Sequence, residues 1–290
     1  VGVKHIFQVT GRGSLFLNDA VAKHKFLEGV SLHHEQACSF AAAAYAEKTN
    51  NLGVCLVSTG CASTNTLTGT LCAWQDGIPC IYISGQNILK ETTNHTKLNI
   101  RTYGQQEFNI SKLVEPITKY SVMLNNPKKI NYILDKALFM ATSGRKGPVW
   151  LDIPLDLQSS LVDPIEITKD KFFINTKNQF SQDDIDYLIR TIGNSKRPII
   201  LIGKGIKYAN ANRELKTFIE HNSIPLVYSA SAPDIYGTHN DLSIGSVGSM
   251  GCSRSGNFAL QNSDLLIVIG SRLSSLTTGD DYCKFARNAE

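Results

Sequence analysis

The chain has 290 residues, 42% hydrophobic and 19% charged, and its 29 basic and 25 acidic side chains leave a formal net charge of +4. That composition is the profile of a folded globular protein with room for about two domains, not of a disordered or fibrous one. The charges are interspersed, so nucleic-acid binding is not expected; with no run of roughly 18 apolar residues and no signal peptide, a cytoplasmic protein with no membrane role is.

The chain opens with a strand pattern over residues 3–9 that ends in Thr10-Gly11-Arg12-Gly13-Ser14, and a helix pattern over 15–25 follows. Three more strand exits come at short intervals: 29–32 leads to Glu35, 53–58 to Thr59-Gly60, and 78–84 to Gly85-Gln86-Asn87. These strands read as continuously apolar, as expected when helices cover both faces of a parallel sheet. Right-handed crossovers place the four exits on one edge, which makes Gly13, Glu35, Gly60 and Gln86 expected neighbours. Ligands of open α/β sheets lie along that edge.

Residues 87–109 form a polar stretch without a strong period, a length of loop that is often functional. An amphipathic helix over 129–143 and a buried strand over 149–153 close a first domain, 1–158, and residues 159–182 read as a connector. The second domain, 183–290, begins with a helix over 183–192. A strand over 199–202 exits at Gly203-Lys204-Gly205, a helix spans 209–221, and strands over 224–228 and 265–269 follow, the last exiting at Gly270-Ser271-Arg272. The expected fold class is therefore α/β with two parallel-sheet domains, the second Rossmann-like.

Within this frame the stretch SLHHEQACSFAAAAYA, residues 31–46, stands out. Glu35 sits where a strand meets a nearly uncharged, alanine-rich helix. Two readings fit: an acid at a helix start, favoured by the helix dipole, or a proton-transfer group held between apolar flanks. Ser58-Thr59-Gly60 followed by Ser63-Thr64-Asn65 also has two readings, a cradle for an anion or polar ring edge and a tight turn with ordinary capping. The Gly203-Lys204-Gly205 turn lacks the third glycine of the dinucleotide fingerprint, and no triphosphate loop occurs. Gly203 and Gly205, with Arg272, still mark a place for an adenine nucleotide's phosphate. Seven cysteines form no CxxC pair and the histidines no zinc pattern, so no metal site is expected. Cys38, Cys55, Cys72 and Cys80 read as small buried hydrophobes.

Taken together, HEQACSFAAAAYA at 34–46, STGCASTNTLTGTLCAWQDGIPCIYISGQ at 58–86, QEFNISKLVEPITKYS at 106–121, GRKGPVWLDIPLDLQ at 144–158, LIGKGI at 201–206 and IGSRLSSLTTGDD at 269–281 resemble successive landmarks of the thiamine-diphosphate enzymes, in particular their acetolactate synthase-like branch. The resemblance implies an N-terminal pyrimidine-binding domain and a central domain. It also implies decarboxylation of a 2-oxo acid such as pyruvate, with transfer of the acyl-anion equivalent to an acceptor carbonyl. Glu35 would contact N1′ of the aminopyrimidine and promote proton removal from the thiazolium, and Gln86 would hydrogen-bond substrate. Gly60 would join Glu35 and Gln86 in holding the cofactor. Gly11, Arg12 and Gly13 occupy the family's first glycine loop, and Gln105 and Gln106 its substrate-side segment. The family's GDG…N motif does not occur, so Mg²⁺ and diphosphate ligands are expected from a further domain, with FAD or ADP as a candidate in the central domain and a homodimer or homotetramer as the assembly. Two other readings stay open, a simple 2-oxo acid decarboxylase and a noncatalytic partner subunit.

Three departures separate the chain from ordinary members of that branch. Gln105 stands where they usually have phenylalanine, Cys61-Ala62 where they have Pro-Gly, and Ser274-Ser275-Leu276 where flavin-binding members have Asp-Asp-Arg. Gln105 gives the expected substrate wall a more polar character, which would favour another carbonyl acceptor, such as a sugar derivative.

Overall fold

Apolar runs bounded by small polar residues become the strands of two all-parallel sheets in the computed structural model, which describes residues 2–167, 172 and 180–290. The sheets belong to two units, Val1–Asn175 and Thr176–Glu290. Part of the expected connector, Asn175-Thr176-Lys177 included, lies outside the described residues.

In the first unit the strands are β1 (His5–Gln8), β2 (Glu28–Ser31), β3 (Gly53–Val57), β4 (Cys80–Gln86), β5 (Tyr120–Met123) and β6 (Val149–Pro154), in the order β2-β1-β3-β4-β6-β5. The chain moves outward from β1 to β2 and then returns to β1's other side with β3. The order therefore reverses between β1 and β3, and a crevice opens outside their carboxyl ends. β3 and β6 are buried along their whole length. One sheet face carries Ile6, Val54, Leu56, Ile81, Val149 and Leu151 against Ile133, Ala137 and Ala141 of the helix Ile130–Thr142.

Alternation in a strand sends every second residue to the other face. On that face Tyr82 stacks on Trp150 with ring centroids 5.4 Å apart, and the register continues with Ser84 beside Asp152. Helix α1 (Leu15–Lys23) connects β1 to β2. Helix α2 (Glu35–Thr49) lies on β3 and on α4 (Leu67–Asp76), which follows the single turn α3 (Cys61–Thr64). The buried side of α2 is made of Cys38, Ser39, Ala42, Ala43 and Ala46, side chains short enough to bring backbone close to backbone. A Cβ on Gly53 would overlap the Ala42 carbonyl, and one on Gly69 the Ser39 hydroxyl. Cys38, Cys55 and Cys80 are buried as expected, while Cys72 is only half-buried.

One expectation is corrected at β2. The approach to Glu35 is not a buried apolar strand, because β2 is the outermost strand and Glu28, Gly29 and Ser31 are exposed. The first unit therefore leaves Glu35 half-buried.

The second unit orders β7 (Pro198–Ile202), β8 (Leu226–Tyr228), β9 (Ser243–Ser246) and β10 (Leu265–Ile269) as β10-β7-β8-β9, so its own reversal lies between β7 and β10. Ile200, Ile202, Leu215, Ile219 and Leu226 fill one side of the sheet, and Ile199, Leu201, Val227 and Leu260 the other. The helix expected over 209–221 is Asn212–Asn222, and Asn210 with φ 56° parts it from a separate turn of helix, Gly205–Tyr208. Among the described residues no helix is long and apolar enough to cross a membrane.

Candidate active site

The exits of β1 and β3 meet at the reversal point. Gly13 donates its N–H to Ser58 Oγ at 3.1 Å, and a Cβ at Gly13 would overlap the Thr59 hydroxyl. Thr59 Oγ1 in turn donates to the Gly85 carbonyl at 3.1 Å, which ties in the β4 exit. Gly60 follows with φ 58° and ψ −113°, a conformation that glycine alone tolerates well, and the Gln106 carbonyl sits where a Cβ would be. The turn α3 then carries Asn65 back toward α2. Asn65 Nδ2 donates to Glu35 Oε2 at 2.9 Å, and Oε1 has no partner among the described residues. Glu35 is the first residue of α2, whose N-cap His34 accepts the Gln36 N–H on Nδ1 at 3.1 Å.

Contacts thus tie Gly13 to Thr59, Gly60 to Gln106 and, across the α3 turn, Asn65 to Glu35 along this edge. Arg12 joins them through Nη1, which donates to Gln105 Oε1 at 3.5 Å. Gln105 is itself fixed through its carbonyl, which accepts from Asn87 Nδ2 at 2.8 Å. The polar loop that carries Gln105 and Gln106 is organised around buried Glu107, which accepts from the Thr93 hydroxyl at 2.7 Å, the Thr93 N–H at 3.0 Å and the Tyr103 N–H at 3.2 Å.

Gln86 requires a correction. Its side chain is 1% exposed, and Nε2 donates both to the Phe108 carbonyl at 2.9 Å and to Asp152 Oδ2 at 3.0 Å. Oε1 accepts the Asn87 N–H at 3.0 Å. Both amide hydrogens are spent inside the protein, so Gln86 positions the loop and has no N–H for a substrate. Beneath it lies a network that sequence reasoning missed. Trp150 Nε1 donates to Ser84 Oγ at 2.9 Å, and Ser84 donates to Asp152 Oδ1 at 2.6 Å. Burial pushes the Asp152 carboxyl up to about 7, against the lowering effect of its bonds to Ser84 and Gln86. The signal was present in polar residues at alternate positions of buried strands, which must find partners. Asn65, read earlier as part of an anion cradle or turn, does close the α3 turn through its N–H on the Cys61 carbonyl at 3.1 Å, and its side chain is also the partner of Glu35.

In the second unit Gly203, Gly205 and the Gly270-Ser271-Arg272 exit do come together at the reversal point. The Gly203 N–H is held by the Ile269 carbonyl at 2.9 Å and the Gly205 N–H by the Gly270 carbonyl at 2.9 Å. These glycines allow two strand exits to touch, and neither keeps a free N–H for a phosphate. Arg272 is exposed. Among the described residues no group of three His, Cys, Asp or Glu side chains could hold a metal ion.

Two parallel sheets with reversed strand order, the first with a carboxylate and a glycine turn near its reversal point, define an open α/β protein, a class whose ligands lie at such reversals. Residues 1–113 match the thiamine pyrophosphate enzyme N-terminal TPP binding domain, and residues 185–290 match the thiamine pyrophosphate enzyme central domain. The acetolactate synthase large subunit of Corynebacterium glutamicum is 33% identical over 95% of this chain and 43% of the relative. That of Buchnera aphidicola is 31% identical over 97% of this chain and 49% of the relative, and the chloroplastic acetolactate synthase of Arabidopsis thaliana 30% over 96% and 40%. The chain belongs to the thiamine pyrophosphate enzymes and spans less than half the length of each of these relatives.

Proposed function

We propose that this chain is the pyrimidine-binding and central part of a thiamine-diphosphate-dependent carboligase of the acetolactate synthase kind. It would take a 2-oxo acid such as pyruvate, release carbon dioxide and pass the acyl-anion equivalent to an acceptor carbonyl. The observation that carries the reading is Glu35, bonded through one oxygen to Asn65 beside the Gly60 turn. The residues fit the pyrimidine end of the cofactor: a half-buried carboxylate with Oε1 unpartnered, next to a turn whose glycine admits close approach.

Thiamine diphosphate, when bound, supplies the electron sink that makes decarboxylation feasible. The protein's part is proton handling and placement. Asn65 fixes the carboxylate so that Glu35 Oε1 is the atom available to the ring nitrogen N1′, across which a proton can be held and returned. Gly60 and Gln106, whose carbonyl closes over the Gly60 turn, would supply backbone to hold the ring. Gln86, locked to Phe108 and Asp152, keeps the loop over the β4 exit in place, which makes it a positioning residue. Mg²⁺ and the diphosphate are assigned to the family's third domain. Nucleotide binding in the central unit, if FAD or ADP is held there, rests on Arg272 and its neighbours, since Gly203 and Gly205 have committed their N–H groups.

A homodimer or homotetramer is the assembly this reading implies. The full-length protein given pyruvate, thiamine diphosphate and Mg²⁺ tests the function. Acetolactate or acetoin supports ligation, acetaldehyde alone supports simple decarboxylation, and no turnover of pyruvate or of 2-oxobutyrate supports the noncatalytic reading.

A further inference from the structure

Arg12 is unlike the other charged residues at this sheet edge. It stands in the 3₁₀ turn Arg12–Ser14, between Gly11 and Gly13, both of which are pressed against Ser58. Its backbone is therefore fixed by the fold while its side chain is exposed. The guanidinium pairs with no carboxylate among the described residues, and its contact is the neutral amide of Gln105. Of the same loop's two carboxylates, Glu107 turns inward and is saturated and Glu91 is half-buried without an ion pair to Arg12, while Lys97 and Arg101 stay exposed. Gln105 adjoins Gln106, whose carbonyl covers Gly60, and Gly60 leads through α3 to the Asn65–Glu35 pair. The rim thus has an acid at one end and an uncompensated cation at the other.

We infer that Arg12, oriented by Gln105, is the residue that recognises an anionic group of a reactant. This rests on the reading of Glu35 as the cofactor's acid. A guanidinium on a fixed stretch of backbone offers paired N–H donors to a carboxylate or a phosphate. Two sources share that chemistry: the carboxylate of the 2-oxo acid donor and a phosphate carried by the acceptor.

The test uses the full-length enzyme with thiamine diphosphate and Mg²⁺, and the variants Arg12→Gln, Arg12→Lys and Gln105→Ala. KM is measured for pyruvate, then for glyceraldehyde and glyceraldehyde 3-phosphate as acceptors. If the donor carboxylate is the anion, Arg12→Gln raises KM for pyruvate by about tenfold or more, with KM moved more than kcat. If the acceptor phosphate is the anion, the same variant erases the preference for glyceraldehyde 3-phosphate over glyceraldehyde. Arg12→Lys restores part of the loss, and Gln105→Ala gives a smaller loss in the same direction. Unchanged KM values and an unchanged acceptor ratio in Arg12→Gln overturn the inference. Glu35→Gln, assayed in parallel with cofactor binding followed by fluorescence, separates the two claims. If Glu35→Gln turns over normally, the reading of the site has failed; if it is crippled while Arg12→Gln is indifferent, only the inference about Arg12 has.

Discussion

Replacing Asp152 by Asn removes a titrating group from the first unit's interior while keeping its shape. Oδ1 of the new amide can face Gln86 Nε2, and its Nδ2 can donate to Ser84 Oγ, whose own hydrogen then turns away. In the native protein burial raises the Asp152 carboxyl from 3.8 to about 7. The folded state therefore holds a proton that the unfolded chain gives up between those two pH values, and stability falls as pH rises through that window. The penalty is complete above about pH 7, where it amounts to ~4 kcal/mol at about 1.4 kcal/mol per pH unit, and it is absent below the unfolded value. Between about pH 5.5 and 8 the native protein should lose roughly 2 kcal/mol relative to the Asp152→Asn variant. Urea titrations followed by tryptophan emission read this directly, because Trp74 and Trp150, the chain's 2 tryptophans, both lie in the first unit. A stability difference between the two proteins that is the same at both pH values, or that shifts toward the variant as pH falls, would refute the reasoning.

Glu35→Gln in the full-length enzyme should lower turnover by about 100-fold or more with little change in melting temperature, because proton transfer is lost and packing is not. Asn65→Ala should lower turnover by roughly tenfold, by freeing the Glu35 carboxylate, and kcat measured at saturating cofactor checks this. Gly60→Ala should cost about 2–4 kcal/mol in urea titrations, since a Cβ there meets both an unfavourable backbone conformation and the Gln106 carbonyl.

Much of the fold was legible because parallel strands buried on both faces leave apolar runs such as Val54-Cys55-Leu56-Val57 and Ile199-Ile200-Leu201-Ile202. Strand order was not legible, and it is what places β2 at the rim and leaves the approach to Glu35 exposed. Ser243–Ser246 went unread as a strand because SIGS has no apolar run and contains Gly245 at φ 146°. The later start of the helix at Asn212 carries neither glycine nor proline to announce it. In the site, Glu35 could be singled out from its own neighbourhood. Its partner Asn65 lies 30 residues away, a pairing only the folded chain reveals. Gln86 shows the opposite failure: an amide looks alike in sequence whether it faces a ligand or a buried carboxylate.

On the side facing β3 and α4, helix α2 meets its surroundings through methyl groups, a thiol, a hydroxyl and peptide backbone. Long side chains can swivel to absorb an error in fit; these cannot. The acid at the head of α2 therefore inherits its coordinates from a stiff joint several turns away, and swapping Ala42 or Ala46 for valine would misplace Glu35 without altering any atom of the site itself.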